Sequence, residues 1–488
     1  MNMDKPLRRV AIFGLLLFFG LMAQVNYVQG SQAQSLREDP INTRKYLNTF
    51  NEPRGKIIAG PEILVTAVET GKANPKYGRK YKDGEVFAPI TGYFTGSAGA
   101  GGLERAYNDL LSGQDKRLKN QKWFDTFIGK KAKAADIQTT IDPAAQRVAY
   151  SQLQQASGNR KGGAVVMDIK TGAIKVMASF PSYDPTTVAP QSGEAGVKRF
   201  DELNNSRTKP TVDKAMSDTN FPGSSFKTVV AASALDNGLN KDSSVPAPST
   251  FNLPGTSVAL PNSHEGGACG GAGQAPLILT FAESCNTTYG ILGAEQLGKS
   301  KVLDTAKKFG YDQAVEVEPN MRTAKSSFVK PDADGAQTAL ASIGQGSNSA
   351  TPLHMAMVAA AAANNGKIMK PYLVQKVISG DDGGTVQDAD PKQFGQAMPG
   401  DNADQLADMM REVVRSGTAK SLAQFDIAGK TGTADIDGVE FNNRWFVGFA
   451  PADKPRYAFA VFTQGDGSGG EFAGPVAGRI MQAVRKDS

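Results

Sequence analysis

The sequence is poor in the residues that most often carry proton transfer and metal binding. Its 488 residues include two histidines, His264 and His354, and two cysteines, Cys269 and Cys285. A Ser-His-Asp triad would need one of these histidines, and no serine lies in the G-x-S-x-G turn of such enzymes. His354 lies in a Met- and Ala-rich stretch and is expected to be a packing residue. The cysteine spacing excludes a C-x-x-C metal or redox site, so we expect no metal and no cofactor.

The sequence also lacks strong charge patterning. The net charge of +6 is small for this length, and no Lys/Arg block or basic-aromatic pattern indicates a nucleic-acid partner. A hydrophobic fraction of 40% and a charged fraction of 21% are ordinary for a globular protein. The 53 glycines follow no period, and no internal repeat is visible.

One long apolar run is present, and it lies at the N-terminus. Val10–Val28 is nearly continuous and follows a basic tail, residues 1–9. Its length approaches the ~20 residues that a membrane span needs, and the preceding positive charge favours a cytoplasmic tail. We therefore expect a single-pass anchor at residues 10–28, with the rest of the chain outside the cytoplasm. The alternative is a cleaved signal peptide, because Ser31-Gln32-Ala33 fits a small-x-small cleavage site.

Export affects the interpretation of the two cysteines. Outside the cytoplasm Cys269 and Cys285 can form a disulfide, which would close a loop of about 15 residues and stabilise the fold by roughly 3 kcal/mol. Two free thiols are the alternative. Because Cys285 lies between Ser284 and Asn286, a disulfide would tether that segment to the glycine-rich stretch 266–273.

Hydrophobic patterning predicts an α+β fold with one antiparallel sheet built from both ends of a domain. Two strands joined through Gly172 come first, a long helical middle region follows, and three strands and a helix come last. The strands are predicted at Ala164–Asp168, Ala173–Ser179, Ile427–Ala434, Trp445–Ala450 and Tyr457–Thr463, and helices at Thr228–Asn237, His354–Asn364 and Pro475–Arg485.

The region before this domain carries no constellation of catalytic residue types. We assign residues 30–136 to an N-terminal non-catalytic domain, residues 137–157 to a linker and residues 158–488 to the catalytic domain. A strand is predicted at Glu62–Val68 and a helix across Gly102–Leu111. Asp142 is expected to cap a helix that begins at Pro143, since proline suits the first helical turn.

Three short motifs in one order carry the chemistry, and the first is Ser224-Ser225-Phe226-Lys227. It follows a Pro-Gly turn and precedes an apolar helix, so Ser224 Oγ and the Lys227 ammonium can come within hydrogen-bond reach at i and i+3. Burial or a second cation would lower the pKa of Lys227 and let it act as a base. In isolation, a capping serine followed by a solvated lysine is the better explanation of the motif, and the turn before it and the apolar helix after it reduce the weight of that alternative.

The second motif, Ser284-Cys285-Asn286, offers a hydroxyl for proton relay and an amide for a substrate carbonyl, although a loop serine is the simpler explanation. The third, Lys430-Thr431-Gly432-Thr433, opens a predicted strand to whose edge an extended peptide could add. Gly432 is expected to leave that backbone uncrowded, and the Lys430 charge to help keep Lys227 neutral. A phosphate-loop interpretation fails because position 424 is Gln.

These motifs and their surroundings resemble the class B penicillin-binding proteins, of the penicillin-binding protein A type. The similarity covers most of the chain from Arg54 onward. It includes, beside the three motifs, Arg54-Gly55, Gly102–Tyr107, Thr140-Ile141-Asp142, Gly344-Gln345-Gly346, Thr351-Pro352-Leu353 and Trp445-Phe446-Val447-Gly448.

The resemblance implies a serine D,D-transpeptidase that crosslinks peptidoglycan stem peptides ending in D-Ala-D-Ala and is acylated by β-lactams. Its fold would be a five-stranded antiparallel sheet flanked by helices. Ser224 would be the nucleophile and Lys227 its base, with Ser284 and Asn286 in proton relay and substrate positioning. Partners from the wall-synthesis or division machinery are also implied.

The same resemblance implies how the substrate is held. Lys430 and Thr431 would bind the terminal carboxylate on a strand that continues through Gly432 and Thr433. The backbone amides of Ser224 and Thr433 would form the oxyanion hole. A D,D-carboxypeptidase, a serine β-lactamase and a non-catalytic β-lactam sensor or wall-binding scaffold are the alternatives.

Overall fold

The structure is a computed structural model that describes residues 4–32, 50–96, 99–119, 133–263, 267–436 and 438–486. His264 and Ala33, on which two of the expectations above depend, lie outside this part of the chain. The α-helices are α1 Asp4–Tyr27, α2 Gly84–Thr91, α3 Gly102–Ala106, α4 Asn108–Leu111, α5 Lys116–Lys119, α6 Pro143–Ser157, α7 Gly193–Asn205, α8 Lys227–Asp236, α9 Leu277–Ala282, α10 Asn286–Ile291, α11 Gly298–Lys308, α12 Gly335–Ser342, α13 Pro352–Ala363, α14 Gly400–Arg415 and α15 Ala473–Lys486.

The strands form two larger sheets and several two-stranded ones. They are β1 Ile57–Ala59, β2 Glu62–Glu69, β3 Tyr77–Tyr81, β4 Asp136–Thr139, β5 Gly162–Asp168, β6 Ile174–Phe180, β7 Ser244–Ala247, β8 Thr250–Asn252, β9 Ala259–Pro261, β10 Gly273–Pro276, β11 Glu316–Glu318, β12 Met321–Arg322, β13 Lys367–Met369, β14 Val374–Ile378, β15 Thr385–Asp388, β16 Gln393–Gln396, β17 Ala428–Ala434, β18 Asn442–Ala450 and β19 Tyr457–Gly465.

The N-terminal helix α1 is long and apolar enough to cross a membrane. The candidate span covers Arg8–Gly30, and its apolar side chains are exposed, from Val10 at 72% to Val25 at 50%. Exposure of this many large apolar side chains is costly in water and favourable in lipid. The helix therefore has the properties of a membrane anchor.

The five-stranded sheet has the order β17-β18-β19-β5-β6, with every neighbouring pair antiparallel. Strands from the two ends of the domain thus meet in one sheet, which confirms the predicted α+β layout. Helix α13 packs on one face, and α6 and α15 pack together on the other. Almost every residue of β18 and β19 is buried, as expected for strands covered on both faces. β17 is an edge strand.

The six-stranded sheet contains strands from both sides of the expected boundary between the N-terminal and catalytic domains. Its order is β15-β14-β4-β1-β2-β3, so a hairpin from the middle of the catalytic segment completes the N-terminal sheet. The segment predicted as a linker, residues 137–157, begins in β4, between β1 and β14, and continues into α6, which packs on the catalytic sheet. Asp142 caps α6 as predicted, accepting a bond from Ala145 N.

Buried polar contacts stabilise the N-terminal region internally and also join it to the catalytic domain. Glu104 is completely buried and pairs with both Arg54 and Arg79. The predicted helix across Gly102–Leu111 is broken at Tyr107, which separates α3 from α4. The Tyr107 hydroxyl donates to Glu318, which also accepts from the backbone at the start of β14. Because these groups are buried, each needs its partner.

Candidate active site

Ser224 lies at the start of a helix whose geometry depends on a glycine. A 3₁₀ turn, Gly223–Phe226, carries Ser224 and leads directly into α8. Gly223 has φ +53, and a Cβ there would lie 2.4 Å from the Thr433 carbonyl oxygen. Only glycine allows both this backbone conformation and this close approach. The serine turn is therefore packed against Thr433, the last residue of the third motif.

Lys227 is the first residue of α8, and its ammonium group is fixed by the second motif. It is fully buried and donates to the Ser284 carbonyl at 2.7 Å and to Asn286 Oδ1 at 2.8 Å. Asn286 Nδ2 donates in turn to Pro261 O, which fixes the orientation of the amide. The expected Ser224–Lys227 bond is not made: among the described residues no hydrogen bond joins the two side chains.

The Ser284 hydroxyl connects the two motif lysines. Lys430 Nζ donates to Ser284 Oγ at 2.9 Å, and Lys227 Nζ lies 3.4 Å from the same oxygen. Ser284 has φ 62, an uncommon left-handed conformation for serine. This conformation lets its carbonyl oxygen and its hydroxyl both face lysine ammonium groups. Sequence reasoning offered no signal for it.

Burial shifts the pKa of both lysines downward. Desolvation is the main cause of a strongly lowered pKa at Lys227, and the positive charge of Lys430 lowers it further. Desolvation lowers the pKa of Lys430 to about 7. A charged amine in a low-dielectric interior without a carboxylate partner is unfavourable, so the protonation equilibrium shifts toward the neutral amine. The predicted influence of Lys430 on Lys227 is present.

The two cysteines form a disulfide, Cys269–Cys285, with Cα atoms 6.3 Å apart. Both are buried, and they pack with Ala247 and Ala275. The bridge tethers the residue that follows Ser284 to the preceding loop. Glu283 lies beside the two sulfurs, but sulfurs joined to each other do not offer the thiolates that a metal would need.

The third motif lies on the exposed edge of the catalytic sheet. β17 pairs with β18 on one side, and no strand of the described residues pairs on the other. Gly432 is more crowded than expected, since a Cβ there would meet Pro222 O at 2.5 Å and Ser225 N at 3.1 Å. Glycine is thus needed for contact with the serine turn rather than for an open backbone.

Side chains of all three motifs meet at a pocket of about 400 Å³. Ser224, Ser284, Asn286, Thr431 and Thr433 line it. Lys227 and Lys430 lie beneath its surface and are fully buried. The sequence prediction that these motifs belong together is therefore consistent with their positions.

Some of the other lining residues, such as Thr418, were not singled out from the sequence. Thr418 places its hydroxyl 2.7 Å from that of Thr431, and its backbone N–H donates to Ala282 O. Gln345 lines the pocket as well, from the Gly-Gln-Gly segment on which the family resemblance partly rests. Asp435 and Ser468 complete this side of the pocket. The sequence carries no local signal for Thr418, whose role depends on a long-range contact.

His354 has the packing role predicted for it. It is 3% exposed, packs against Tyr311 with ring centroids 4.4 Å apart and the rings tilted by 52°, and contacts Phe309 O through Nε2 at 2.9 Å. Desolvation lowers its pKa to about 4. A neutral histidine in the core suits structure rather than catalysis.

Comparison with known proteins gives the family. The family model described as "Penicillin binding protein transpeptidase domain" matches residues 162–482. The chain belongs to the penicillin-binding proteins. A second model, "Penicillin binding protein A dimerisation domain", matches residues 54–137. Together they assign this chain to the class B proteins of the penicillin-binding protein A type, as the sequence motifs indicated.

Relatives of this penicillin-binding protein align over its whole length. Peptidoglycan D,D-transpeptidase PbpA of Mycolicibacterium smegmatis is 34% identical over 498 residues and is covered completely, as is this chain. The Mycobacterium tuberculosis PbpA is 32% identical over 493 residues, 99% of each chain. The solved imipenem acyl-enzyme complex of penicillin-binding protein A from M. tuberculosis superposes with a TM-score of 0.83 at 31% identity, covering 90% of this chain and 100% of that one.

Proposed function

We propose that this penicillin-binding protein crosslinks peptidoglycan stem peptides through an acyl-enzyme on Ser224, and that β-lactams acylate the same oxygen. The observation that carries the proposal is the arrangement of two buried lysines about the Ser284 hydroxyl, beside the pocket that Ser224 lines. The family and its D,D-transpeptidase relatives support the same reaction.

Lys227 is suited to remove the Ser224 proton. A neutral amine has two N–H donors, and the short bonds to the Ser284 carbonyl and Asn286 Oδ1 use both. The nitrogen lone pair then remains available to accept the proton of Ser224. Burial and the nearby Lys430 charge lower the pKa of Lys227, which favours the neutral amine and its free lone pair.

Acylation then proceeds by ordinary bond exchange. Ser224 Oγ forms a bond to the carbonyl carbon of the penultimate D-Ala, while Lys227 takes the hydroxyl proton. When the C–N bond breaks, the leaving D-Ala nitrogen receives a proton through Ser284 Oγ, which lies between the two lysines. In the second half-reaction an acceptor amine attacks the ester and Ser224 regains its proton.

The strand edge and the serine turn are placed to hold the substrate. The proposed oxyanion hole uses the Ser224 and Thr433 amides, and support comes from the approach of Gly223 to Thr433, where a Cβ would lie 3.0 Å from the Thr433 nitrogen. The terminal carboxylate is assigned to Lys430 and Thr431, with Thr418 holding the Thr431 hydroxyl. An anion at this point would favour the charged form of Lys430.

The proposed orientation places the catalytic domain outside the cytoplasm. The basic residues that precede the α1 apolar stretch favour retention of the N-terminus in the cytoplasm. The Cys269–Cys285 disulfide is the kind of bond that persists in oxidising compartments. Peptidoglycan stem peptides lie on the same side.

The test is covalent labelling with a fluorescent penicillin. The full-length protein should form an adduct that survives denaturation, and Ser224→Ala should abolish it while keeping the folded far-UV spectrum. Ser225→Ala is the matched control and should retain labelling, because the Ser225 hydroxyl donates a hydrogen bond to Pro222 O and does not line the pocket. Failure of the folded wild-type protein to form an adduct would refute the acyl-enzyme. Comparing products with and without an acceptor amine separates transpeptidation from hydrolysis.

A further inference from the structure

The proposed substrate strand leads toward an acid that the reaction above does not use. Thr431, Thr433 and Asp435 occupy alternate positions along one stretch of chain, and all three line the pocket. Alternate residues of an extended strand share a face. Asp435 lies one residue beyond the end of β17, at the far end of this row.

The two ends of this row of residues carry opposite charges. Lys227 and Lys430 lie beneath the end at which the substrate carboxylate is proposed to bind. Asp435 is exposed at the other end, and no ion pair joins it to a cation within the described ranges. A ligand with a negative group at one end and a positive group further along would match both charges.

The direction of the substrate follows from the proposed function, on which this inference rests. With its terminal carboxylate near Thr431 and its scissile carbonyl near Ser224 and Thr433, an added strand runs antiparallel to β17. Four residues from Thr431 to Asp435 span about 13 Å at ~3.3 Å per residue. Two substrate residues account for about 7 Å. The four-carbon stem of a lysine-like side chain on the third residue can cover the remainder.

We propose that Asp435 is a specificity-determining residue that binds the ammonium group of a diamino acid at the third position from the donor C-terminus. The carboxylate selects a cation there, and it takes no part in bond making. β-Lactams without a cationic side chain lack the group that this contact selects.

The test compares two synthetic donor peptides ending in D-Ala-D-Ala, one with lysine and one with norleucine at the third position from the C-terminus. The readout is kcat/KM for D-Ala release by the full-length protein. The wild-type protein should prefer lysine by about threefold to fivefold, the range given by an exposed ion pair, and less at high salt. Asp435→Asn should remove the preference, and Asp435→Lys should reverse it.

Two controls separate the possible failures. Glu440→Gln removes an exposed acid from the same β17–β18 connection without touching the pocket lining, so the lysine preference should persist. Penicillin acylation should proceed at equal rates in the wild-type protein and Glu440→Gln, and covalent labelling of the two Asp435 variants shows that their Ser224 site is folded. Equal use of both peptides by an acylation-competent wild-type protein overturns the role of Asp435. Absence of acylation in the wild-type protein overturns the proposed function instead.

Discussion

Replacing Lys430 by methionine should stabilise the fold while it destroys the proposed carboxylate site. Burial lowers the pKa of Lys430 from its ordinary 10.5 to about 7. At 1.36 kcal/mol per pH unit, this difference corresponds to about 5 kcal/mol of unfavourable free energy for the charged, buried amine. Methionine has a similar length and no charge, and the cavity stays filled.

The sign of the pH dependence follows from which state binds the proton. Between pH 7 and 10.5 the unfolded chain holds a proton on Lys430 that the folded protein does not hold, so the stability of the wild-type protein rises with pH. The penalty is complete below pH 7 and absent above 10.5. The titration part of the advantage of Lys430→Met should therefore be about 5 kcal/mol at pH 6 and about 2 kcal/mol at pH 9.

The lost hydrogen bonds reduce this advantage by an amount that does not depend on pH. Lys430 Nζ donates to Ser284 Oγ and Thr431 O, and each such bond contributes about 1 kcal/mol. The net gain at pH 6 should be about 3 kcal/mol. The change of this stability difference between pH 7 and 9 is the better test, because the hydrogen bonds contribute equally at both pH values and only the titration of Lys430 makes the difference vary.

The assay is urea unfolding of the full-length protein in detergent micelles from pH 6 to 9. Tryptophan fluorescence is a suitable probe, since Trp445 is fully buried beside the serine turn and donates to Phe221 O. Lys420→Met, at an exposed position, is the control. Its free energy of unfolding should differ from that of the wild-type protein by nearly zero at every pH. If the difference in free energy of unfolding between Lys430→Met and the wild-type protein does not change between pH 7 and 9, the argument that the buried charge is costly is refuted.

Three further predictions concern the geometry of the site. Gly432→Ala should slow penicillin acylation about tenfold or more in stopped-flow labelling, because its Cβ would push the strand from the serine turn, whereas Gly395→Ala, which meets nothing within 4 Å, should leave the rate unchanged. Thr418→Val should raise the KM of a peptide donor about threefold by freeing the Thr431 hydroxyl; the same change in KM for a donor whose carboxylate is esterified would contradict this role. The double variant Cys269→Ala/Cys285→Ala should lose roughly 3 kcal/mol of stability in denaturant titrations, and an unchanged midpoint would show that the bridge contributes nothing.

The catalytic sheet could be predicted well because its signals are local. Tyr457–Thr463 was predicted within two residues of β19, since a continuous apolar run bounded by turns marks a strand buried on both faces. Ile427–Ala434 was predicted within one residue of β17. The hairpin through Gly172 was predicted from the same kind of signal, and that glycine has φ +85. Pairing across the domain then followed from the order of the elements.

The N-terminal sheet could not be predicted, because its pairing is non-local. β14 lies more than two hundred residues after β4, and nothing in either short segment marks the other as its neighbour. In the active site, too, local motifs could be predicted and long-range contacts could not. The motifs named Lys227 and Ser284, but the lysine bonds to a carbonyl that faces it only because Ser284 adopts a left-handed conformation. Thr418 was missed because its contact exists only after folding.

The shared six-stranded sheet has a consequence for how the molecule can be divided. A fragment starting at the matched transpeptidase region, residue 162, would lack β4 and leave the edge of β14 without its partner. It would also lose the Tyr107 hydroxyl that satisfies the buried carboxylate of Glu318. Open strand edges promote aggregation, and an unpaired buried carboxylate destabilises the fold. Any soluble catalytic fragment must therefore begin no later than Arg54, because the N-terminal sheet and the catalytic domain share strands and buried contacts.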